Sequence, residues 1–125
     1  MKRVLWMTMI VVFSVLFVFS ASQAKPFKIA AIFQTAIEEP WDGVIHQACL
    51  KAKKEMGNIE YEFTEKIAAA DFEKVLREYA ERGFDLIVGD AFLAGEEPAR
   101  RVAKDYPETA FAFGSEFGPD RKSVV

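Results

Sequence analysis

Short apolar runs alternate with amphipathic segments along this chain, and that alternation constrains its fold more than any other feature. Four runs of strand length are separated by three segments of helical periodicity, and the links between them are short. Runs that are apolar almost throughout are typical of strands buried on both faces of a sheet. The predicted strands span residues 28–33, 59–63, 84–89 and 109–114. The pattern predicts an α/β protein with a parallel sheet, helices on both faces and right-handed crossovers.

The second run differs from the others because Ile59, Tyr61 and Phe63 alternate with two glutamates. Such alternation favours an edge strand with one solvated face. If the strand order is 2-1-3-4, the order reverses between the first and third strands. Residues 123–125 read as the opening of a fifth strand, so we expect the chain to be a fragment.

The helical segments have recognisable starts and stops. The first begins at Pro40 and ends at Gly57, the second follows Asp71 as N-cap and ends near Gly83, and the third opens at Pro98. Helical spacing predicts buried faces made of Trp41, Val44, Ile45, Ala48, Ala52 and Met56 in the first helix, Phe72, Val75, Leu76 and Tyr79 in the second, and Ala99, Val102, Ala103 and Tyr106 in the third.

The first 24 residues have the pattern of a secretory signal peptide. Lys2 and Arg3 precede an apolar run of 16 residues, and Ser22-Gln23-Ala24 offers small residues at a cleavage site. As a helix the run is about 24 Å long, short of the roughly 30 Å hydrocarbon core of a bilayer. We expect cleavage after Ala24 and a mature periplasmic protein of one domain, residues 25–125.

The mature chain is acidic, with 14 basic against 19 acidic residues. A net charge of −5 argues against nucleic-acid binding. Cys49 is the only cysteine, so we expect no intramolecular disulfide and no lipid-carrying cysteine after the signal. His46 lies three residues before Cys49, but one histidine and one thiol cannot complete a metal site. We interpret them as a surface histidine and a small buried thiol.

Polar and aromatic residues collect where the first, third and fourth strands end, and ligands bind at such strand ends in open parallel sheets. The set suits a flat small molecule with a polar rim, which stacks on an aromatic ring. Trp41 could instead anchor the first helix, and the nearby acidic residues suit a helix N-terminus on dipole grounds alone. The candidates are Gln34, Thr35, Glu38, Glu39, Trp41, Asp42, Asp90, Phe92, Ser115, Glu116 and Phe117.

Catalytic signatures are weak. The first strand runs into Gln34-Thr35-Ala36-Ile37, which is not a glycine-rich phosphate loop. Adjacent carboxylates such as Glu38-Glu39 and Glu96-Glu97 project in different directions, so they do not form an acid–base pair.

Three runs carry a family resemblance: KIAAIFQTAIEEPWDGVIHQACLKA, DFEKVLREYAERGFDLIVGDAF and ARRVAKDYPETAFAFGS. Together they resemble the N-terminal lobe of the basic membrane protein (BMP) family, purine-nucleoside receptors of ABC importers. The resemblance implies a periplasmic-binding-protein type I fold, truncated here, and an ABC permease in the inner membrane as partner. Trp41 occupies the family's base-stacking position, beside Asp42 where Asn is common. The family's acidic segment is replaced by residues 34–37, which leaves the preferred purine open.

The first hypothesis is a monomeric receptor that binds a purine nucleoside or nucleobase without cofactor, metal or covalent chemistry. Its expected ligand-binding residues are Gln34, Thr35, Trp41, Asp42, Asp90 and Phe92. The alternatives are a small exported flavodoxin-like or hydrolase-like α/β enzyme that uses the same loops, and a truncated product without activity.

If the signal peptide is cleaved as expected, the exported protein begins at Lys25. Mass spectrometry of the intact periplasmic protein should give the mass of residues 25–125. Recovery of the Met1 chain from the membrane fraction would contradict this prediction and indicate an uncleaved anchor.

Overall fold

The computed structural model describes residues 24–114, which form four strands and three α-helices. The strands are β1 (Phe27–Ile32), β2 (Ile59–Thr64), β3 (Leu86–Asp90) and β4 (Ala110–Gly114). The helices are α1 (Pro40–Met56), α2 (Phe72–Glu81) and α3 (Glu97–Asp105), and a 3₁₀ turn at Ala69–Asp71 precedes α2. No helix within residues 24–114 is long and apolar enough to cross a membrane. The expected signal peptide and fifth strand lie outside the described residues.

The four strands form one sheet of order β2-β1-β3-β4, and every neighbouring pair is parallel. This is the order that was assumed above, and it confirms the edge position of β2. β3 begins at Leu86, two residues later than expected. The reason is that Phe84 is buried in the turn before the strand, where its ring meets the Tyr79 ring edge to face at 5.0 Å.

Helices cover both faces of the sheet, as the sequence predicts, because successive side chains of a strand point to opposite faces. Ile29 of β1 packs with Cys49 of α1 and Ile59 of β2 on one face. The next residue, Ala30, belongs to the larger core on the other face, beneath α2 and α3. The fully buried large side chains of that larger core are Ile32, Phe72, Leu76, Ile87 and Val102. The expected buried faces of α2 and α3 are confirmed at Phe72, Leu76, Tyr79, Ala99 and Val102.

The expected buried face of α1 is wrong. The residues that α1 buries are Asp42, His46 and Cys49, whereas Trp41 and Val44 are exposed. Ala48 and Met56 are exposed as well. The prediction holds only for Ile45 and Ala52, which are half-buried and pack against the smaller core around Ile29. At about 100° per residue, the buried face is rotated by roughly a quarter turn from the apolar stripe.

The physical reason for this rotation is that polar side chains of α1 find partners against the sheet. Asp42 bonds to the loop after β1, and His46 Nδ1 lies 2.9 Å from the Tyr61 hydroxyl of β2. The imidazole also packs against the rings of Phe33 and Phe63, with centroids 6.3 and 4.6 Å away. His46 is therefore a buried, hydrogen-bonded histidine, and its assignment to the surface is wrong. Cys49 is buried, as expected.

The carboxyl ends of β1 and β3 leave no room for a side chain at Gly89. Ile32 pairs with Gly89, and a Cβ atom on Gly89 would lie 2.0 Å from the Ile32 carbonyl oxygen. Only glycine fits there without moving a strand. The contact brings the loops that follow β1 and β3 side by side.

Gly89→Ala should therefore lower the free energy of unfolding by about 2 kcal/mol or more, because the added methyl forces two core strands apart. Gly114→Ala is the matched control, since its Cβ would have 3.6 Å to the nearest atom. We expect the control to change stability by less than about 0.5 kcal/mol. Urea unfolding measures both, and equal stabilities for the two variants would contradict the prediction.

Candidate functional site

The candidate site lies at the carboxyl ends of β1 and β3, where the strand order reverses. From β1 the chain crosses to β2 on one side, and β3 then returns to pair with β1 on the other side. Open parallel sheets bind ligands in the crevice at such a switch point. The residues at this edge come from the β1–α1 loop, the first turn of α1 and the β3–α3 loop.

Asp42, in the first turn of α1, is fully buried and is clamped by the β1–α1 loop. Its Oδ2 accepts hydrogen bonds from the Thr35 backbone N–H at 3.0 Å and the Thr35 hydroxyl at 2.6 Å. Its other oxygen, Oδ1, is buried without a partner. The carboxylate is thus held in one orientation with one oxygen unused.

Gln34, which precedes Thr35 in the β1–α1 loop, is also buried. Its Oε1 accepts a hydrogen bond of 2.7 Å from the Leu93 N–H in the β3–α3 loop. Its amide nitrogen Nε2 is buried without a partner. Gln34 therefore ties the two loops together and leaves a donor unused.

Asp90, the last residue of β3, folds back on its own loop. Its Oδ1 accepts a 2.9 Å hydrogen bond from the Phe92 N–H. Burial raises the pKa of the Asp90 carboxyl, against the lowering effect of that bond, and the negative charge of Asp42 raises it further. Asp42 and Asp90 therefore act on each other electrostatically, and no ion pair within residues 24–114 involves either of them.

The β1–α1 loop is fixed from its outer side by the turn after β2. The Ile37 N–H donates to Glu65 Oε2 at 2.8 Å, and the Lys66 N–H donates to the Thr35 carbonyl at 3.1 Å. Gly43 closes the other side, because a Cβ there would lie 2.6 Å from the Ile37 carbonyl oxygen. The loop that presents Gln34 and Thr35 is thus held at several points.

Trp41 is exposed to 66%, so its interpretation as a core anchor of α1 is wrong. Its indole lies beside the end of β4, with Cζ2 3.6 Å from the position of a Cβ on Gly114. Phe92 is also exposed, in the β3–α3 loop. Glu38 and Glu39 are exposed and their side chains cap no helix. The candidates Ser115, Glu116 and Phe117 lie outside the described residues.

Two contributors were missed by reasoning from the sequence. Leu93 donates to Gln34 through its backbone N–H, a role that cannot be predicted from the residue type. Glu65 follows the edge strand β2 and has no motif around it, so only the tertiary contact with Ile37 reveals it.

The arrangement can accept and donate hydrogen bonds beside an exposed aromatic ring. It offers two carboxylates, one carboxamide and an indole at one edge of the sheet. Within residues 24–114, no group of three or more His, Cys, Asp or Glu side chains could hold a metal ion.

A 2-1-3-4 parallel sheet with polar groups at its switch point is the geometry of a ligand-binding α/β lobe. Residues 28–125 match the sequence model of the Bmp family, described as ABC transporter substrate-binding protein PnrA-like. The chain belongs to this family.

Known proteins resemble parts of the chain. It is 35% identical over 71 residues to the "Putative ABC transporter glucose-binding protein TsgA13" of Haloferax volcanii, which covers 57% of this chain and 18% of that protein. An ABC transporter solute-binding protein from Aeropyrum pernix K1 superposes with a TM-score of 0.62 at 27% identity, over 70% of this chain and 24% of that one. An ABC transporter solute-binding protein from Conexibacter woesei DSM 14684 superposes with a TM-score of 0.57 at 27% identity, over 67% of this chain and 28% of that one. The chain thus spans about a quarter or less of the length of these proteins.

The raised pKa of Asp90 leads to a prediction about stability. A raised carboxyl pKa in the folded state means that the charged form costs stability, and that this cost fades as the pH falls through that pKa. Asp90→Asn keeps an oxygen for the Phe92 N–H and removes the charge near Asp42. The variant should therefore have a higher urea midpoint than the wild type at pH 7, and the gain should shrink towards about pH 4.

Asp71→Asn is the matched control, because Asp71 is exposed and its side chain forms no capping hydrogen bond. Asn and Asp are equivalent at helix N-caps, so little change is expected at either pH. A lower midpoint for Asp90→Asn than for the wild type at pH 7 would contradict the prediction.

Proposed function

We propose that this chain forms part of the N-terminal lobe of an ABC-importer receptor that binds a purine nucleoside or nucleobase in the periplasm. The receptor acts as a monomer and passes its ligand to a permease in the inner membrane. One observation carries the proposal: an exposed indole, Trp41, stands at the same sheet edge as buried polar groups with unused hydrogen-bonding atoms. Membership of the Bmp family supports the receptor class.

The exposure of Trp41 supports stacking on a flat ring. A large aromatic side chain in contact with water gains by being covered, and alanine replacement of base-stacking aromatics costs roughly 1–3 kcal/mol of binding. Phe92 offers a second exposed ring in the loop after β3.

The charge of the site supports an uncharged nucleoside over a nucleotide. Asp42 and Asp90 carry no ion-pair partner among the described residues, and each raises the cost of negative charge nearby. A phosphate would meet this repulsion without a compensating cation.

A sugar is the second candidate ligand. Carboxylates accept hydrogen bonds from sugar hydroxyls, and an exposed indole covers the apolar face of a pyranose. The relative from Haloferax volcanii is named as a glucose-binding protein. This resemblance covers a small part of that relative, so the purine remains the first proposal.

We propose binding without a chemical step. The chain has one thiol and one imidazole, and both contact Tyr61. Burial raises the pKa of the Cys49 thiol, which leaves it neutral and a poor nucleophile. The hydrolase-like alternative therefore gains no reactive thiol from the described residues.

Trp41→Ala tests the stacking assignment. Because the indole is largely exposed, its loss should cost less than about 1 kcal/mol of stability, whereas a buried tryptophan would cost about 3–5 kcal/mol. Binding of inosine should weaken by about 1–3 kcal/mol, and Trp41→Phe should restore much of it. Trp41 is the only tryptophan after Ala24, so quenching of its fluorescence reports binding directly.

A panel of inosine, inosine monophosphate and glucose distinguishes the proposals. One lobe offers one wall of a cleft, and closure normally buries most of a small ligand, so we expect binding no tighter than about 1 mM. Ligand-observed NMR on the mature chain should detect inosine binding and much weaker binding of the phosphate. Binding of glucose alone, or tighter binding of the phosphate, would overturn the purine proposal.

A further inference from the structure

Two buried atoms at the switch point have no hydrogen-bond partner: Gln34 Nε2 and Asp42 Oδ1. Buried polar groups are nearly always paired, and an unpaired one costs free energy. Gln34 and Asp42 are exposed to only 7% and 0%, so bulk water does not satisfy either side chain. Residues 24–114 therefore supply no hydrogen-bond partner for either atom.

Each side chain is held by its other polar atom, which fixes what it presents. The Leu93 N–H occupies Gln34 Oε1, and Thr35 occupies Asp42 Oδ2 with two hydrogen bonds. Gln34 can only donate through its free nitrogen, and Asp42 in its charged form can only accept through its free oxygen.

The two atoms belong to neighbouring groups but do not pair with each other. Gln34 adjoins Thr35 in sequence, and Thr35 is the residue that clamps Asp42. The unused donor is Gln34 Nε2 and the unused acceptor is Asp42 Oδ1. Together they are complementary to a third group that carries an acceptor next to a donor.

We propose that Gln34 Nε2 and Asp42 Oδ1 together read the cyclic amide or amidine edge of a heterocyclic ring. The ring's carbonyl or imine atom accepts from Gln34, and its neighbouring N–H donates to Asp42. The inference rests on the proposed ligand-binding function and adds the atoms that set its specificity.

A planar amide edge fits this pair better than sugar hydroxyls do. A hydroxyl that accepts from Gln34 still has its own O–H to place, and one that donates to Asp42 still has lone pairs to satisfy. In the amide edge, the carbonyl that accepts from Gln34 has no O–H of its own to place, and the N–H that donates to Asp42 has no free lone pair to satisfy. Sites built in this way reject analogues that lack the matching group, because a buried partner is then left unpaired.

The β3–α3 loop contacts one member of this pair, Gln34. The Leu93 N–H donates to Gln34, and the Phe92 N–H donates to Asp90. The side chains of Phe92 and Leu93 are exposed. Neither unpartnered atom is open to solvent. We therefore expect a ligand to reach them only when the packing around them opens, including the contact between Gln34 and Leu93.

The test compares inosine, whose N1–H is a donor, with purine riboside, whose N1 is an acceptor and which lacks the 6-oxygen. Ligand-observed NMR titrations of the mature chain give the ratio of the two dissociation constants. The wild type should bind inosine at least about tenfold more tightly, since each lost buried hydrogen bond costs about a factor of ten. Uridine and its 4-deoxy analogue test the same edge on a pyrimidine.

Asp42→Asn should reverse this preference. Thr35 keeps the amide oxygen of the new side chain, so the NH₂ group replaces the free acceptor with a donor and favours purine riboside. Gln34→Glu should weaken the binding of inosine more than that of purine riboside, since only inosine carries the 6-oxygen. Asp71→Asn and Gln47→Glu, both at exposed positions, are the matched controls and should keep the wild-type ratio.

Each result decides one of the two proposals. The amide-edge pair is supported if Asp42→Asn reverses the preference for inosine. If that variant does not fold, the pair is supported when Gln34→Glu loses the preference for inosine. The same behaviour with uridine alone supports the pair and overturns the purine proposal. Equal binding of inosine and purine riboside, or a ratio that neither variant changes, overturns the pair and leaves the purine proposal standing. Binding of glucose alone overturns both.

Discussion

The parallel pairing of β1 with β3 determines where every residue of the candidate site lies. At its carboxyl end the pairing leaves no room for a side chain at Gly89, because a Cβ atom there would overlap the Ile32 carbonyl oxygen. The loops after these strands therefore leave the sheet side by side, and the Gln34–Leu93 hydrogen bond joins them. A wider separation would place Gln34 and Asp90 on unconnected loops and remove the crevice at the switch point.

The clamp on Asp42 has a second consequence, because it sets the rotation of α1. Burying a carboxylate is costly unless it is hydrogen-bonded, and Thr35 supplies both bonds from one residue. His46, one turn later on the same face, bonds to Tyr61. These polar contacts turn the helix so that Trp41 and Val44 face outward, which leaves an aromatic ring available beside the site.

The unused atoms of Gln34 and Asp42 are consistent with a binding protein. A site that is satisfied without its ligand gains little from binding, whereas unpaired donors and acceptors gain their partners when the ligand arrives. The cost to the free protein is a loss of stability, of the kind that functional sites commonly carry. The same reasoning applies to Asp90, whose charge is disfavoured in the folded chain by burial and by Asp42.

The sequence by itself determined the class of fold, the family, the edge position of β2 and the edge of the sheet where polar residues collect. It could do so because strand and helix periodicities are local, and because loops after parallel strands share one edge. It also identified Gln34, Asp42 and Asp90 as candidates, since polar residues after buried strands stand out. Only the tertiary structure decided which face of α1 is buried. The apolar stripe predicted one face. The hydrogen bonds of Asp42 to Thr35 and of His46 to Tyr61, which the stripe does not reveal, bury another. The role of the Leu93 backbone and the two unused atoms likewise depend on contacts between distant segments, which residue types and their spacing do not encode.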